Sequence, residues 1–236
     1  MIHAIYQFLW FCRNINVVMY IHLNYFCKAV KRDKQYHIYP YRGANIYIRS
    51  KSEIILHGDL RFNEGRDDGR FGRSFISLYE RSKIIIGANV TLSHGSLIRV
   101  NENAILEFVG TSIMNINLTI DCKQLIRIGN DTMVGSDVII YDSDFHPTAY
   151  QNKEFATHTS PVYIGDHVWI GTRAMIMKGS NIGMGSIIGA NAYFNSQVPA
   201  NTLVACTPSR VILKDIKWAR DMTEEEIENA KMYVNG

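Results

Sequence analysis

The chain has 236 residues, 47% of them apolar, and its 25 lysines and arginines against 22 aspartates and glutamates leave a net charge of +3. That length serves one sizeable domain with short appendages. The charge balance is too mild, and no run of like charge long enough, for a nucleic-acid face or an interaction tail.

In chain order, residues 1–30 come first and are rich in aromatic and aliphatic side chains. Arg13 and Lys28 bracket 14 uncharged residues that include Asn14, Asn16, His22 and Asn24. A membrane span needs about 20 predominantly apolar residues, and the pattern of a secretory leader is missing. The reading is a helical extension over 1–40, packed on the main body or on a subunit neighbour. A peripheral membrane contact through the same segment is the alternative. The four cysteines, Cys12, Cys27, Cys122 and Cys206, form no CxxC pair, which predicts reduced thiols in a cytoplasmic protein, with the inner face of the membrane as its possible station.

From about residue 41 to 205 a six-residue repeat takes over. Ile164, Ile170, Ile176, Ile182 and Ile188 are six apart, with Phe194 and Ala200 continuing the series. Glycine follows the aliphatic position at Gly165, Gly171, Gly183 and Gly189, and small residues recur at Ala174, Ser186 and Ala192. Upstream, Ile128-Gly129, Val134-Gly135 and Ile140 form one set, and Ile86-Gly87, Leu92 and Ile98 another. Between about 104 and 127 the spacing is irregular, although Leu106, Ile113, Leu118, Ile120 and Ile126 keep up the apolar supply. Three hexads make one triangular coil with the aliphatic residue inside, and each coil hides its apolar face only by stacking on the next. The predicted fold is mostly β, a parallel β-helix. One polar segment, 147–161, opens and closes on proline and reads as a loop thrown out from the prism. After Ala205 the repeat stops, and 206–236 reads as a closing segment and a helix, with Thr223 and Glu226 spaced as a capping box.

With these blocks in order, the chain resembles the hexapeptide-repeat acyltransferases, in particular the bacterial galactoside, maltose and exopolysaccharide O-acetyltransferases. The resemblance covers roughly 85–217. It rests on Asn115-Ile116-Asn117-Leu118-Thr119-Ile120, Asp142-Ser143-Asp144-Phe145-His146-Pro147, the block from Ile164 to Thr172, Ile188-Gly189-Ala190, and Thr207-Pro208-Ser209-Arg210-Val211. It implies a left-handed coil, a homotrimer, and transfer of an acetyl group from acetyl-CoA to a hydroxyl of a sugar or glycan precursor, with no metal required. It makes His146 the general base, a role suited to an imidazole that titrates near neutrality. The main-chain NH of Thr172 becomes the oxyanion donor and a donor-side contact. Asn115 falls on the acceptor side, Asp144 is expected to orient His146 or bind an acceptor hydroxyl, and Trp169 to wall the pantetheine or the acceptor, while Ala190 and Arg210 contact CoA, Arg210 through phosphate. Relatives carry glycine at Cys206, alanine at Ser209 and an acidic sugar-binding residue at Lys123, so their particular acceptor is not carried over. An amino-sugar N-acetyltransferase, a non-catalytic β-helix scaffold and a zinc hydratase are the competing readings. The last lacks a compact histidine pair among His94, His146, His158 and His167.

Overall fold

The computed structural model describes residues 2–65, 72–151 and 153–233. Helix α1 (Ile2–Asn14) and the short α2 (Val17–Ile21) lead into a π-helical turn, His22–Phe26. Asn16 caps α2 by accepting from the Met19 amide at 3.1 Å. Leu23 from the turn is buried in the core. Asn24 is buried beside it, donating to the Ile38 carbonyl and accepting from the Ile38 amide, both at 2.8 Å. The helices therefore lie against the first coil. They end sooner than the sequence suggests. Strand pairing begins with Val30–Arg32 and Ile38–Pro40, inside the stretch read as a helical extension.

The body is a left-handed parallel β-helix whose strands stack in three sheets of eight, nine and seven. The first face runs from Val30–Arg32 to Gln197–Val198, the second from Ile38–Pro40 to Leu203–Ala205, and the third from Ala44–Ile48 to Tyr193–Phe194. Inward residues form apolar columns. Phe108, Ile128, Ile164 and Ile182 stack on the first face, Met114, Val134, Ile170 and Ile188 on the second, and Ile120, Ile140, Ile176 and Phe194 on the third. All are at most 4% exposed, so the prism interior is dry and supplies the main hydrophobic stabilisation.

The irregular stretch of sequence is regular in space. Extra residues are absorbed at the corner between the third and first faces, where Lys51, Arg81 and Asn103 adopt the left-handed conformation (φ 60° each). Ile113 proves to point outward at 39% exposure, and its neighbour Met114 fills the core instead. The hexad spacing also slips after Phe194. Only Asn195 and Ser196 separate Tyr193–Phe194 from Gln197–Val198, so Val198 and Val204, not Ala200, complete the stack. The last strand, Arg210–Leu213, turns back antiparallel on Leu203–Ala205.

Helix α3 (Glu224–Met232) follows, capped by Thr223, whose hydroxyl accepts from the Glu226 amide at 3.4 Å. Asp221 supplies the reciprocal half, accepting from both the amide and the hydroxyl of Thr223 at 2.8 and 2.6 Å.

Candidate active site

The residues singled out from the sequence fall on two different edges of the prism. One edge joins the second and third faces. Successive coils are tied there by the amides of Asn115, Gly135, Gly171 and Gly189, which donate in turn to Val134, Ile170, Ile188 and Val204 at 2.7–2.9 Å. A methyl group on Gly171 would lie 2.6 Å from the Ala190 nitrogen, and one on Gly135 would lie 2.7 Å from the Thr172 nitrogen. Glycine is therefore needed for the coils to approach so closely. The next residue in each coil, Ser136, Thr172 or Ala190, carries an amide that donates to no group among the described residues. At the lower end the pattern is closed, because Asn115 Oδ1 accepts from the adjacent Ile116 amide at 2.8 Å. At the upper end Arg210 pairs in register with Ala205, one coil above Gly189. Thr172, Ala190 and Arg210 are all exposed. The edge thus offers small side chains, unspent N–H donors and an arginine at one end. That set fits an extended anionic thioester donor such as acetyl-CoA.

Trp169 stands beside this edge on the outer side of the second face, 44% exposed, with Trp218 6.0 Å away, ring centroid to ring centroid. His167, two residues earlier, has a different task. Its ring is 1% exposed and lies parallel between Trp218 (4.0 Å) and Tyr233 (4.3 Å). Its Nδ1 is 2.6 Å from Asp131 Oδ2 and its Nε2 is 2.9 Å from the Trp218 carbonyl. Arg220 also pairs with Asp131. This buried stack fastens the C-terminal segment to the prism. Nothing in the hexad spacing announces it, although a tryptophan and a tyrosine in an otherwise polar tail are a usable signal.

The other edge, between the third and first faces, carries the loop. Its neck is a short antiparallel pairing of Ser143 with Thr159, reinforced by the Asp144 amide donating to the His158 carbonyl and the Ser160 amide to the Asp142 carbonyl, at 2.8 and 2.9 Å. Asp142 is buried, and its carboxylate accepts from the amides of Lys123, Gln124 and Leu125 at 2.7–2.8 Å. Burial pushes this carboxyl above its ordinary value, and the three amides pull it partly back. The Ser143 hydroxyl accepts from the Phe145 amide at 2.9 Å, which fixes the turn into Phe145 (φ 65°) and His146.

His146 is exposed at the mouth of this neck, and its ring makes no hydrogen bond among the described residues. Asp144 does not orient that ring. Its carboxylate is 2.5 Å from Lys178 Nζ, and the same ammonium donates to the Thr157 carbonyl at 3.1 Å, so this pair braces the loop instead. Two neighbours of His146 were given no role from sequence. Phe145 packs edge-on against Tyr141 (5.1 Å), and Lys123 Nζ lies over the Phe145 ring (4.8 Å). For Phe145, its place in the Asp-Ser-Asp-Phe-His-Pro block was the available clue, whereas Lys123 lies outside that block. Among the described residues no cluster of histidine, cysteine or carboxylate side chains could hold a metal ion.

A family model for the bacterial transferase hexapeptide, six repeats, matches residues 161–196. Those residues carry the repeat of that family, and the chain is similar to proteins built on it. Galactoside O-acetyltransferase of Escherichia coli K12 is 32% identical to this chain over 52% of its length and 57% of the relative's. Polysialic acid O-acetyltransferase of Escherichia coli O1:K1 is 28% identical over 78% of the chain and 48% of the relative. The chain thus spans about half the length of the curated relatives it matches. The solved polysialic acid O-acetyltransferase OatWY superposes with a TM-score of 0.61 at 21% identity, covering 86% of this chain and 96% of that one, which establishes the shared fold.

Proposed function

We propose that the protein is an acetyl-CoA-dependent O-acetyltransferase acting on a sugar or glycan hydroxyl, that it works as a homotrimer, and that its N-terminal segment meets a membrane surface. The observation that carries this reading is the column of unspent amides at Ser136, Thr172 and Ala190 with Arg210 above it, set one face away from an exposed histidine on a braced loop neck. Named relatives that transfer acetyl groups to galactosides and to polysialic acid support it.

In this mechanism the pantetheine arm lies along the edge and Arg210 meets a phosphate. The imidazole of His146 removes the proton of the acceptor hydroxyl as its oxygen attacks the thioester carbonyl. The Thr172 amide stabilises the oxyanion, which collapses with release of the CoA thiolate. Six residues of chain separate Ser136 from Asp142, a span of up to about 20 Å in strand geometry. With strand Ile139–Tyr141 between the two edges, we assign His146 and Thr172 of one chain to different sites, each completed across a subunit boundary by threefold closure.

Mixed assemblies test this directly. His146→Ala disables the base edge and Ala190→Trp blocks the donor edge, so each homotrimer is inactive. Trimers refolded from both variants regain acetyl transfer if the site is shared between subunits. Failure of every mixture to regain activity contradicts the shared site, and a monomer in light scattering contradicts the trimer.

A further inference from the structure

Charge is distributed very unevenly along the chain. Residues 1–52 hold eight lysines and arginines and one acid, Asp33, whereas residues 53–236 hold 17 basic and 21 acidic residues. Seven of those eight cations are exposed. The eighth, Arg32, spends its guanidinium on the carbonyls of Asn24, Lys34 and Tyr36. None of the eight pairs with a carboxylate among the described residues, while higher up the prism Arg81, Arg99, Arg127, Lys178 and Arg220 all do. The same end exposes large apolar side chains, with Phe8 at 66%, Trp10 at 55%, Val18 at 81%, Tyr25 at 61% and Phe26 at 72%. No described helix is long and apolar enough to cross a membrane, and α1 has 13 residues.

We propose that the N-terminal end of the prism docks on an anionic lipid bilayer. Aromatic rings and short aliphatic faces settle at the headgroup boundary, where an amphipathic segment lies in the interface rather than spanning it. Unpaired lysines and arginines are drawn to the negative surface potential of the same layer. Exposed apolar groups beside unneutralised cations meet both demands of that surface together. A second copy of this chain would bring like charges face to face, and an acidic glycan in water would leave the aliphatic side chains unsatisfied. The docking deepens the acetyl-transfer reading and in part rests on it. It stands the prism on the bilayer with His146, four coils from the first, about 20 Å away at the spacing of adjacent strands. The acceptor hydroxyl then belongs to a membrane-attached glycan some sugars out from its anchor.

Co-sedimentation of the full chain with phosphatidylcholine vesicles, with and without phosphatidylglycerol, tests the docking independently of any activity. Binding is expected only to the anionic vesicles, with release in about 1 M salt, where the Debye length falls to about 3 Å. Each cation removed should lower partitioning on the order of five-fold, so the triple variant Lys28→Glu, Lys31→Glu, Lys34→Glu loses about a hundred-fold or more. The double variant Phe8→Ser, Trp10→Ser weakens binding without changing the thermal midpoint or the oligomeric state. Equal binding to both vesicle types, or to neither, overturns the proposal. So does a change of oligomeric state in the variants with vesicle binding intact, which would make this end a subunit interface. Binding to a soluble acidic polysaccharide with none to anionic vesicles would assign the cations to a glycan and overturn it too.

Discussion

Replacing His167 by asparagine should free the C-terminal segment and leave the prism standing. Asparagine is chosen because residue 167 has a left-handed backbone (φ 52°), which asparagine tolerates better than most residues. The substitution removes two parallel ring contacts, to Trp218 and Tyr233, each worth about 0.5–1.5 kcal/mol beyond the area they bury. The short asparagine side chain cannot serve both Asp131 and the Trp218 carbonyl, so a buried hydrogen bond worth about 1–3 kcal/mol goes as well. A loss of about 2–6 kcal/mol in the docking of the segment corresponds to a local opening about 30- to 20,000-fold more frequent. Hydrogen–deuterium exchange resolves this by region. Amides of α3 should exchange faster by that factor, while those of Ile170 and Ile188 in the core stay protected. Unchanged exchange in α3, or equal acceleration in both regions, would refute the assignment of His167 as a fastener.

Acid should act on the same anchor. Burial alone would raise the Asp131 carboxyl, but hydrogen bonds from His167 and Arg220 outweigh it and hold the group below its ordinary 3.8. A depressed acid contributes stability that is present above its unfolded pKa and lost as pH falls through the folded value. Protection of α3 should therefore be flat from neutrality to about pH 4 and decline below it, as followed by Trp218 fluorescence. Gly171→Ala places a methyl group 2.6 Å from the Ala190 nitrogen. Overpacking of this kind costs about 1–3 kcal/mol, so calorimetry should show a midpoint lower by about 3–10 °C. Arg210→Ala, beyond the last parallel coil, should leave the midpoint unchanged and raise the acetyl-CoA dissociation constant several-fold, since an exposed charge contact is often worth under about 1 kcal/mol and hydrogen bonds to charged groups reach about 1.5–3 kcal/mol. Isothermal titration that finds unchanged affinity removes Arg210 from the proposed donor site.

The apolar columns were legible because one geometric requirement repeats in every coil. Ile164, Ile170 and Ile176 each fill the same kind of slot, so their spacing exposes the coil. Where a corner gains or loses residues, as at Asn103 or between Phe194 and Val198, the columns continue in space but the interval in sequence changes. That is why Met114 and Val198 escaped notice and the first coil at Val30 was taken for helix. At the site, glycines and the Asp-Ser-Asp-Phe-His-Pro block marked the two edges, since close coil approach and a sharp exit from the prism need particular residues. The partners of Asp144 and His167 were not legible. Lys178 lies 34 residues beyond Asp144, and Trp218 lies 51 beyond His167. Only the stacking of coils and the folding back of the tail bring them together.

The measurement closest to the central claim is the turnover of His146→Ala with acetyl-CoA and a glycan acceptor, followed by release of CoA thiol. Loss of a general base lowers turnover by about 10²–10⁴-fold. Acetyl-CoA affinity should hold, because the proposed donor site lies on the other edge, and the thermal midpoint should hold, because the exposed ring supports nothing in the core. A His146→Ala enzyme that keeps most of its turnover while binding donor and acceptor normally would contradict the account, since no proton acceptor would then be needed at the neck of the loop.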